Sequence, residues 1–148
     1  ALIKQYQDQL LPDVLAEADL ANGQTRFQQL CLACHQLHGE GGTVGPELTG
    51  ANRSDLYYLL ENIIDPSATL PRDYQLTILT LDDGNTLSGN IVSENEYAIT
   101  MRGLTDETAV NRERIKKRET LPQSLMPEGL LTTLSEQDIR DLIAFLQQ

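Results

Sequence analysis

Cys31-Leu32-Ala33-Cys34-His35 is the stretch on which the reading of this chain turns. Two thiols three positions apart can add to the two vinyl groups of one porphyrin, and the adjoining imidazole then lies beneath the iron as proximal ligand. The pentapeptide therefore reads as a covalent attachment site for one c-type haem, with Cys31 and Cys34 as the points of attachment and His35 on the metal. A redox dithiol would need a strand-to-helix context that Phe27-Gln28-Gln29-Leu30 does not suggest, and tetrahedral zinc would need two more ligands where only His38 remains to offer. A disulfide between the two cysteines would close too small a loop to constrain the unfolded chain.

Upstream, residues 12 to 32 read as helical. Phe27, Leu30, Cys31 and Cys34 recur at i, i+3, i+4 and i+7, so the apolar stripe ends on the motif itself. Gly23 weakens that helix unless another backbone or ring approaches closely there, and residues before Pro12 have no evident role. Downstream, Gly39-Glu40-Gly41-Gly42-Thr43-Val44-Gly45-Pro46 is not a dinucleotide fingerprint, since Val44 stands where a third glycine is needed and no strand leads in. It reads as a loop wrapping a flat cofactor, with a carbonyl near Pro46 placed to accept the proton on the other nitrogen of His35 and so fix the ring.

Ser54 is the expected N-cap of a helix reaching about Ile64, with Leu56, Leu59, Leu60, Ile63 and Ile64 buried and Asp65-Pro66 as the stop. Tyr57 and Tyr58 lie in its first turns, where a hydroxyl could reach a haem propionate or simply belong to an amphipathic core. The period then changes. Residues 74 to 81 and 86 to 92 alternate around the turn Asp82-Asp83-Gly84-Asn85, Tyr97, Ile99 and Met101 share a strand face, Arg102-Gly103-Leu104-Thr105-Asp106 is a second turn, and a last strand spans 108 to 115. This pattern resembles a small Sm-like barrel, without any sign of an RNA site. In the final helix Ser135 and Asp138 form a capping-box variant, Leu134 and Ile139 take the staple positions, and Ile139, Leu142, Ile143 and Leu146 follow at helical spacing with Phe145 beside them. That helix should pack on the first, with Phe145 against Gly23.

At 148 residues the chain suits one domain with a substantial insertion. The expected division is a haem domain over 1–71 plus 119–148 and a β-rich subdomain over 72–118. A formal charge of -11 argues against nucleic acid, which is bound through clustered cations. The exception is Arg112, Arg114, Lys116, Lys117 and Arg118 against Glu113 alone. On a strand, Arg112, Arg114, Lys116 and Arg118 would share one face, either as a dock for an acidic partner or, the preferred reading, as a solvated surface balancing the molecule's own acids. Apolar runs such as Leu59-Leu60 are far too short to cross a bilayer. No signal sequence is expected, because Lys4 precedes a polar stretch without an apolar region, and a start at Ala1 without Met suits a mature form or an excised segment. Haem attachment places assembly outside the cytosol, in a periplasmic or comparable compartment.

A haem held by one imidazole either keeps an open face for a small molecule or takes a second protein ligand, for which only Met101, Met126, His38 or weaker donors are available. His38 is too near His35 to cross to the other haem face, and Met101 lies in an alternating strand where a core role is ordinary. Met126 sits in Ser124-Leu125-Met126-Pro127-Glu128-Gly129, a loop stiffened by Pro127 that can present a thioether at low entropic cost.

With Cys31-Cys34-His35, Gly45-Pro46-Glu47-Leu48 and Met126-Pro127 in that order between first and last helices, the chain resembles the class I c-type cytochromes. More narrowly it is similar to the planctomycete-type haem-binding domain, on Val44-Gly45-Pro46-Glu47-Leu48-Thr49-Gly50, Asp65-Pro66-Ser67 and Ser124-Leu125-Met126-Pro127-Glu128-Gly129-Leu130. The resemblance implies a mainly α fold, the class I cytochrome c helical arrangement with a small antiparallel β insertion, sheet or small barrel. It further implies His35/Met126 ligation, one covalent haem c, and electron transfer rather than catalysis. The candidate cofactor contacts are Cys31, Cys34, His35, Pro46, Leu48, Arg53, Tyr57, Tyr58 and Met126, with His35 and Met126 on the metal, in an apolar pocket of Phe27, Leu48, Leu59, Ile63, Leu125 and Phe145. Met126 follows His35 by 91 positions, a spacing lengthened by the insertion, which is left to shield the haem edge, bind a partner or pair with a second copy as a homodimer.

The expected function is that of a one-electron carrier or the haem module of a larger redox protein, working between donor and acceptor proteins or beside an upstream dehydrogenase domain. A haem-based gas sensor or peroxidase-like enzyme with a labile sixth ligand is the alternative, against which stands the lack of a distal His and Arg pair. A third reading makes it an interaction protein whose basic strand and insertion matter more than its haem.

Overall fold

The computed structural model describes residues 2–68, 70–103 and 106–148. They form two compact units, one of residues up to Ala68 with Pro127–Gln148, the other the intervening segment ending at Met126.

In the first unit, α1 spans Leu2–Gln9, α2 Pro12–Ala16, α3 Leu20–Leu30, α4 Leu56–Ile64 and α5 Glu136–Leu146. The helical stretch expected over 12 to 32 is thus two pieces. It restarts at Leu20 because Asp19 caps α3, its carboxylate accepting from the Asn22 N–H at 3.2 Å. Residues before Pro12 do have a role, since α1 packs on α4 and buries Tyr6, with Leu10 following it into the core. The cap of α4 is Asp55, accepting from Tyr58 N–H at 3.2 Å, one residue later than the Ser54 expected. Ser135 caps α5 as its sequence indicates, accepting from Asp138 N–H at 3.1 Å.

Helices α3 and α5 pack together at Gly23. A Cβ built there would lie 2.0 Å from the Asp141 carbonyl oxygen and 2.7 Å from Phe145 Cβ, so only glycine allows this approach. Phe27 and Phe145 meet beside it with ring centroids 5.6 Å apart and planes tilted by 50°, a centroid separation within the range aromatic pairs favour. Next to this contact Asp141 is fully buried. Its carboxylate accepts from Asp19 N–H at 2.9 Å, Asn22 Nδ2 at 2.8 Å and Arg140 Nε at 3.0 Å. Burial pushes its pKa up, but those three donors and the Arg140 charge outweigh it and hold the carboxyl below its ordinary value.

The second unit contains β3 Gln75–Leu81, β4 Thr86–Glu94, β5 Ala98–Arg102, β6 Glu107–Asn111 and β7 Ile115–Ser124, the first pair of strands, β1 Gln36–Leu37 and β2 Glu40–Gly41, belonging to the other unit. The five form one antiparallel sheet in the order β6-β5-β4-β3-β7. Leu79 and Leu81 of β3, Ile99 and Met101 of β5 and Val110 of β6 share one core cluster, with Leu87, Ile91 and Ile115 packed on it. Side chains from β3 and β6 can meet only if the sheet curls, and it bends at register shifts between Gln75 and Leu76, Thr80 and Leu81, and Ile91 and Ser93. Met101 is therefore a core residue, whereas Tyr97 precedes its strand and is 75% exposed. Gly103 N–H reaches Asp106 O at 2.9 Å across the second turn, whose Leu104 and Thr105 lie outside the described residues.

Two expectations are corrected. With 38% helix, 28% strand and a five-stranded sheet, the chain is not mainly α but a mixed helical and antiparallel β protein. The α share falls because the residues around the CxxCH motif form turns and loops, and the β share rises because β7 runs past residue 118 to Ser124. The basic segment is also no single strand. Residues 112–114 form a 3-10 turn between β6 and β7, because Asn111 Oδ1 accepts from Glu113 N–H at 3.0 Å and turns the chain. The common face of Arg112, Arg114, Lys116 and Arg118 is thereby broken.

Candidate haem-attachment site

The motif begins where α3 ends. Cys31 caps the helix, its N–H bonded to Phe27 O at 2.8 Å, and the next turn closes through His35 N–H to Cys31 O at 2.9 Å. Cys31 and Cys34 are both free thiols on this turn. Burial first, then the neighbouring Cys34, pushes the Cys31 thiol up to about 12. The nucleophile of a redox dithiol needs the opposite shift from the one Cys31 has.

Strands β1 and β2 then make a minimal hairpin around His38 and Gly39, both with positive φ, 53° and 84°, which suits a two-residue primed turn. The glycine-rich loop folds back onto the motif through three backbone bonds: Gly42 N–H to Leu32 O at 2.8 Å, Gly45 N–H to Cys34 O at 2.7 Å and Leu48 N–H to Gln36 O at 2.7 Å. Gly45 lies flat on the imidazole, since a Cβ there would fall 2.5 Å from His35 Cε1. His35 Nδ1 is 2.7 Å from Pro46 O, the bond the sequence placed there. A carbonyl can only accept, so Nδ1 carries the proton and Nε2 keeps its lone pair for a metal. Two free thiols on one turn, an imidazole locked in the ligating tautomer and a side-chain-free residue against its ring fit a covalent haem. Among the described residues no three or more His, Cys, Asp and Glu are grouped to hold a metal ion.

Thr49 braces the loop, its hydroxyl accepting from His38 N–H at 2.7 Å and donating to Glu47. The hydroxyl and N–H of Thr49 hold the exposed Glu47 carboxyl below its ordinary pKa. Of the other candidate contacts, Leu48 is half-buried. Arg53 is engaged with main-chain carbonyls, Leu48 O at 2.9 Å, Thr49 O at 3.1 Å and Leu146 O at 2.7 Å, together with that of Gln148. Tyr57 and Tyr58 are exposed. The Tyr57 hydroxyl is bonded to Glu61, whose hydrogen bond and negative charge raise its pKa. Phe27, Leu59 and Ile63 are buried, and Phe145 half-buried. Met126 is half-buried as the last residue of the second unit, its N–H bonded to Ser124 Oγ at 3.1 Å.

The Asn22 and Asp141 network was not anticipated. Its signal lay in the helix period, because Asp141 precedes Phe145 by one turn and so shares the face that meets Gly23. Much of the basic segment pairs with the chain's own acids: Arg112 and Arg118 with Glu94 at 3.2 and 2.8 Å, Arg114 with Asp82 and Asp83 at 3.4 and 3.2 Å, and Lys117 with Glu119 at 2.5 Å.

Residues 20–77 match the family model for cytochrome c, a stretch from α3 through the motif, its loop and α4 into β3. The match supports a c-type cytochrome, a haem-binding electron-transfer module, and implies covalently attached haem c and redox partners. Such domains are usually extracytoplasmic, and no helix among the described residues is long and apolar enough to cross a membrane. No curated protein matches the chain.

Proposed function

We propose that this chain carries single electrons between donor and acceptor proteins, alone or as the haem module of a larger redox protein outside the cytosol, with haem c on Cys31 and Cys34 and His35 and Met126 as axial ligands. The observation that carries the reading is the His35 Nδ1 to Pro46 bond at 2.7 Å. Haem iron supplies the one-electron chemistry. The polypeptide holds the proton on Nδ1, strengthens Nε2 as a donor through the Pro46 carbonyl, and excludes any side chain from the ring at Gly45. Met126 as second ligand is supported by its place in the chain, since it is bonded to Pro127, where the haem-bearing unit resumes. The haem domain is then the unit up to Ala68 with Pro127–Gln148, of planctomycete type, and the curled sheet its insertion.

The test is Met126→Ala in the haem-loaded chain. The expected result is loss of the weak far-red sulfur-to-iron band and rapid carbon monoxide binding by the ferrous protein. An unchanged spectrum would remove Met126 from the iron, and carbon monoxide binding by the wild type would favour the sensor or enzyme reading instead.

A further inference from the structure

Arg53 lies outside the motif and its wrapping loop, yet its guanidinium gathers four main-chain carbonyls from two parts of the first unit. Nε donates to Leu48 O at 2.9 Å, Nη2 to Thr49 O at 3.1 Å, and Nη1 to Leu146 O at 2.7 Å and to Gln148 O. Leu146 is the last residue of α5, where helix carbonyls lack intrahelical partners and a cation is favoured. Leu48 and Thr49 directly follow Pro46 and Glu47, so the planar fork ties the segment carrying the Pro46 carbonyl to the end of α5.

We propose that Arg53 is a positioning residue for the proximal ligand: by fixing residues 48 and 49 to α5 it holds the Pro46 carbonyl on His35 Nδ1 and thereby sets the donor strength of His35. The inference rests on the reading of His35 as iron ligand, and is independent of Met126. Only a planar multidentate cation can span these acceptors, since lysine offers a point charge able to satisfy the α5 end or the loop but not both. Loss of the clamp leaves Pro46 held on its N-terminal side by Gly45 N–H to Cys34 O and on its C-terminal side only by Leu48 N–H to Gln36 O and by Thr49, and so loosens its carbonyl on His35. A weaker hydrogen bond makes His35 a poorer donor, which destabilises ferric iron and raises the reduction potential.

The test compares the haem-loaded wild-type chain with Arg53→Gln and Arg53→Lys by the exchange rate of the His35 Nδ1 proton in the ferrous protein, read by NMR, and by the reduction potential across pH. In Arg53→Gln the proton should exchange about tenfold faster, as weakening of one hydrogen bond implies, with a higher potential at every pH, and Arg53→Lys should fall between. Should Arg53→Gln fail to retain haem, Arg53→Lys carries the comparison alone. Wild-type exchange and potential in a folded variant would overturn the proposal and leave Arg53 a simple brace. A change confined to the pH dependence of the potential, with exchange unaltered, would also overturn it, pointing to a bond with an acid group of the cofactor. Loss of Met126 ligation is distinguishable, because it appears in carbon monoxide binding.

Discussion

Replacing Gly23 by alanine tests the packing that holds the motif-bearing helix. In a free helix the change is favourable by about 1 kcal/mol. Here the new Cβ would sit 2.0 Å from the Asp141 carbonyl oxygen, 2.7 Å from its carbon and 2.7 Å from Phe145 Cβ. The obstacle is mostly backbone, so α3 and α5 must separate by roughly an ångström, loosening the Phe27–Phe145 contact and lengthening the Asn22 and Asp19 bonds to Asp141. Overpacking costs about 1–3 kcal/mol, and more where backbone must move, so the helix gain is overridden and a net loss of about 2 kcal/mol is expected. For a protein of this size that lowers the thermal midpoint by roughly 5 °C. Gly50→Ala is the control, since a Cβ there meets nothing within 4 Å and its φ is not positive; it should be neutral or slightly stabilising. Thermal unfolding followed by helix circular dichroism reads both. A Gly23→Ala protein as stable as the wild type, or more so, would refute the close crossing of α3 and α5.

Gly45→Ala should displace the His35 ring, since the added carbon falls 2.5 Å from Cε1; the expected outcome is reduced haem incorporation with an altered axial-ligand spectrum, measured per mole of protein. Asp141 has a lowered folded pKa, so its contribution is full above the unfolded value and is lost as pH falls below about 4 through the folded one. Asn22→Ala should shrink that acid-dependent loss, as denaturant midpoints between neutral and acid pH will show. Glu94→Gln removes the partner shared by Arg112 and Arg118, but all three are substantially exposed, so the sheet unit should lose no more than about 1 kcal/mol in denaturant unfolding.

The parts of the molecule legible in its sequence are those where one residue type has few uses. CxxCH, the Gly45-Pro46 loop with its bond to His35, the Ser135 cap and the Gly23–Phe145 contact each follow from chemistry local to a few positions. Four strands of the sheet were visible as alternation, but the fifth, β7, was not, because it carries Pro122, Gln123 and four charged residues that mask its strand period. Asp141 was missed because a carboxylate reads as surface until two of its donors, Asp19 N–H and Asn22 Nδ2, more than a hundred positions earlier, are brought beside it. Arg53 illustrates the same limit, because four carbonyl acceptors leave no mark on the side-chain pattern.

The most direct measurement is the absorption spectrum of the purified chain matured with haem, ferric and ferrous, together with its pyridine haemochrome and the ferrous spectrum under carbon monoxide. His35/Met126-ligated haem c on this motif should give a haemochrome with both vinyl groups converted to thioethers, one haem per chain, a low-spin spectrum with the far-red sulfur-to-iron band, and no response to carbon monoxide. Haem that is extracted by acid solvent, or none retained when Cys31 and Cys34 are intact, would contradict attachment at this motif and with it the electron-transfer function.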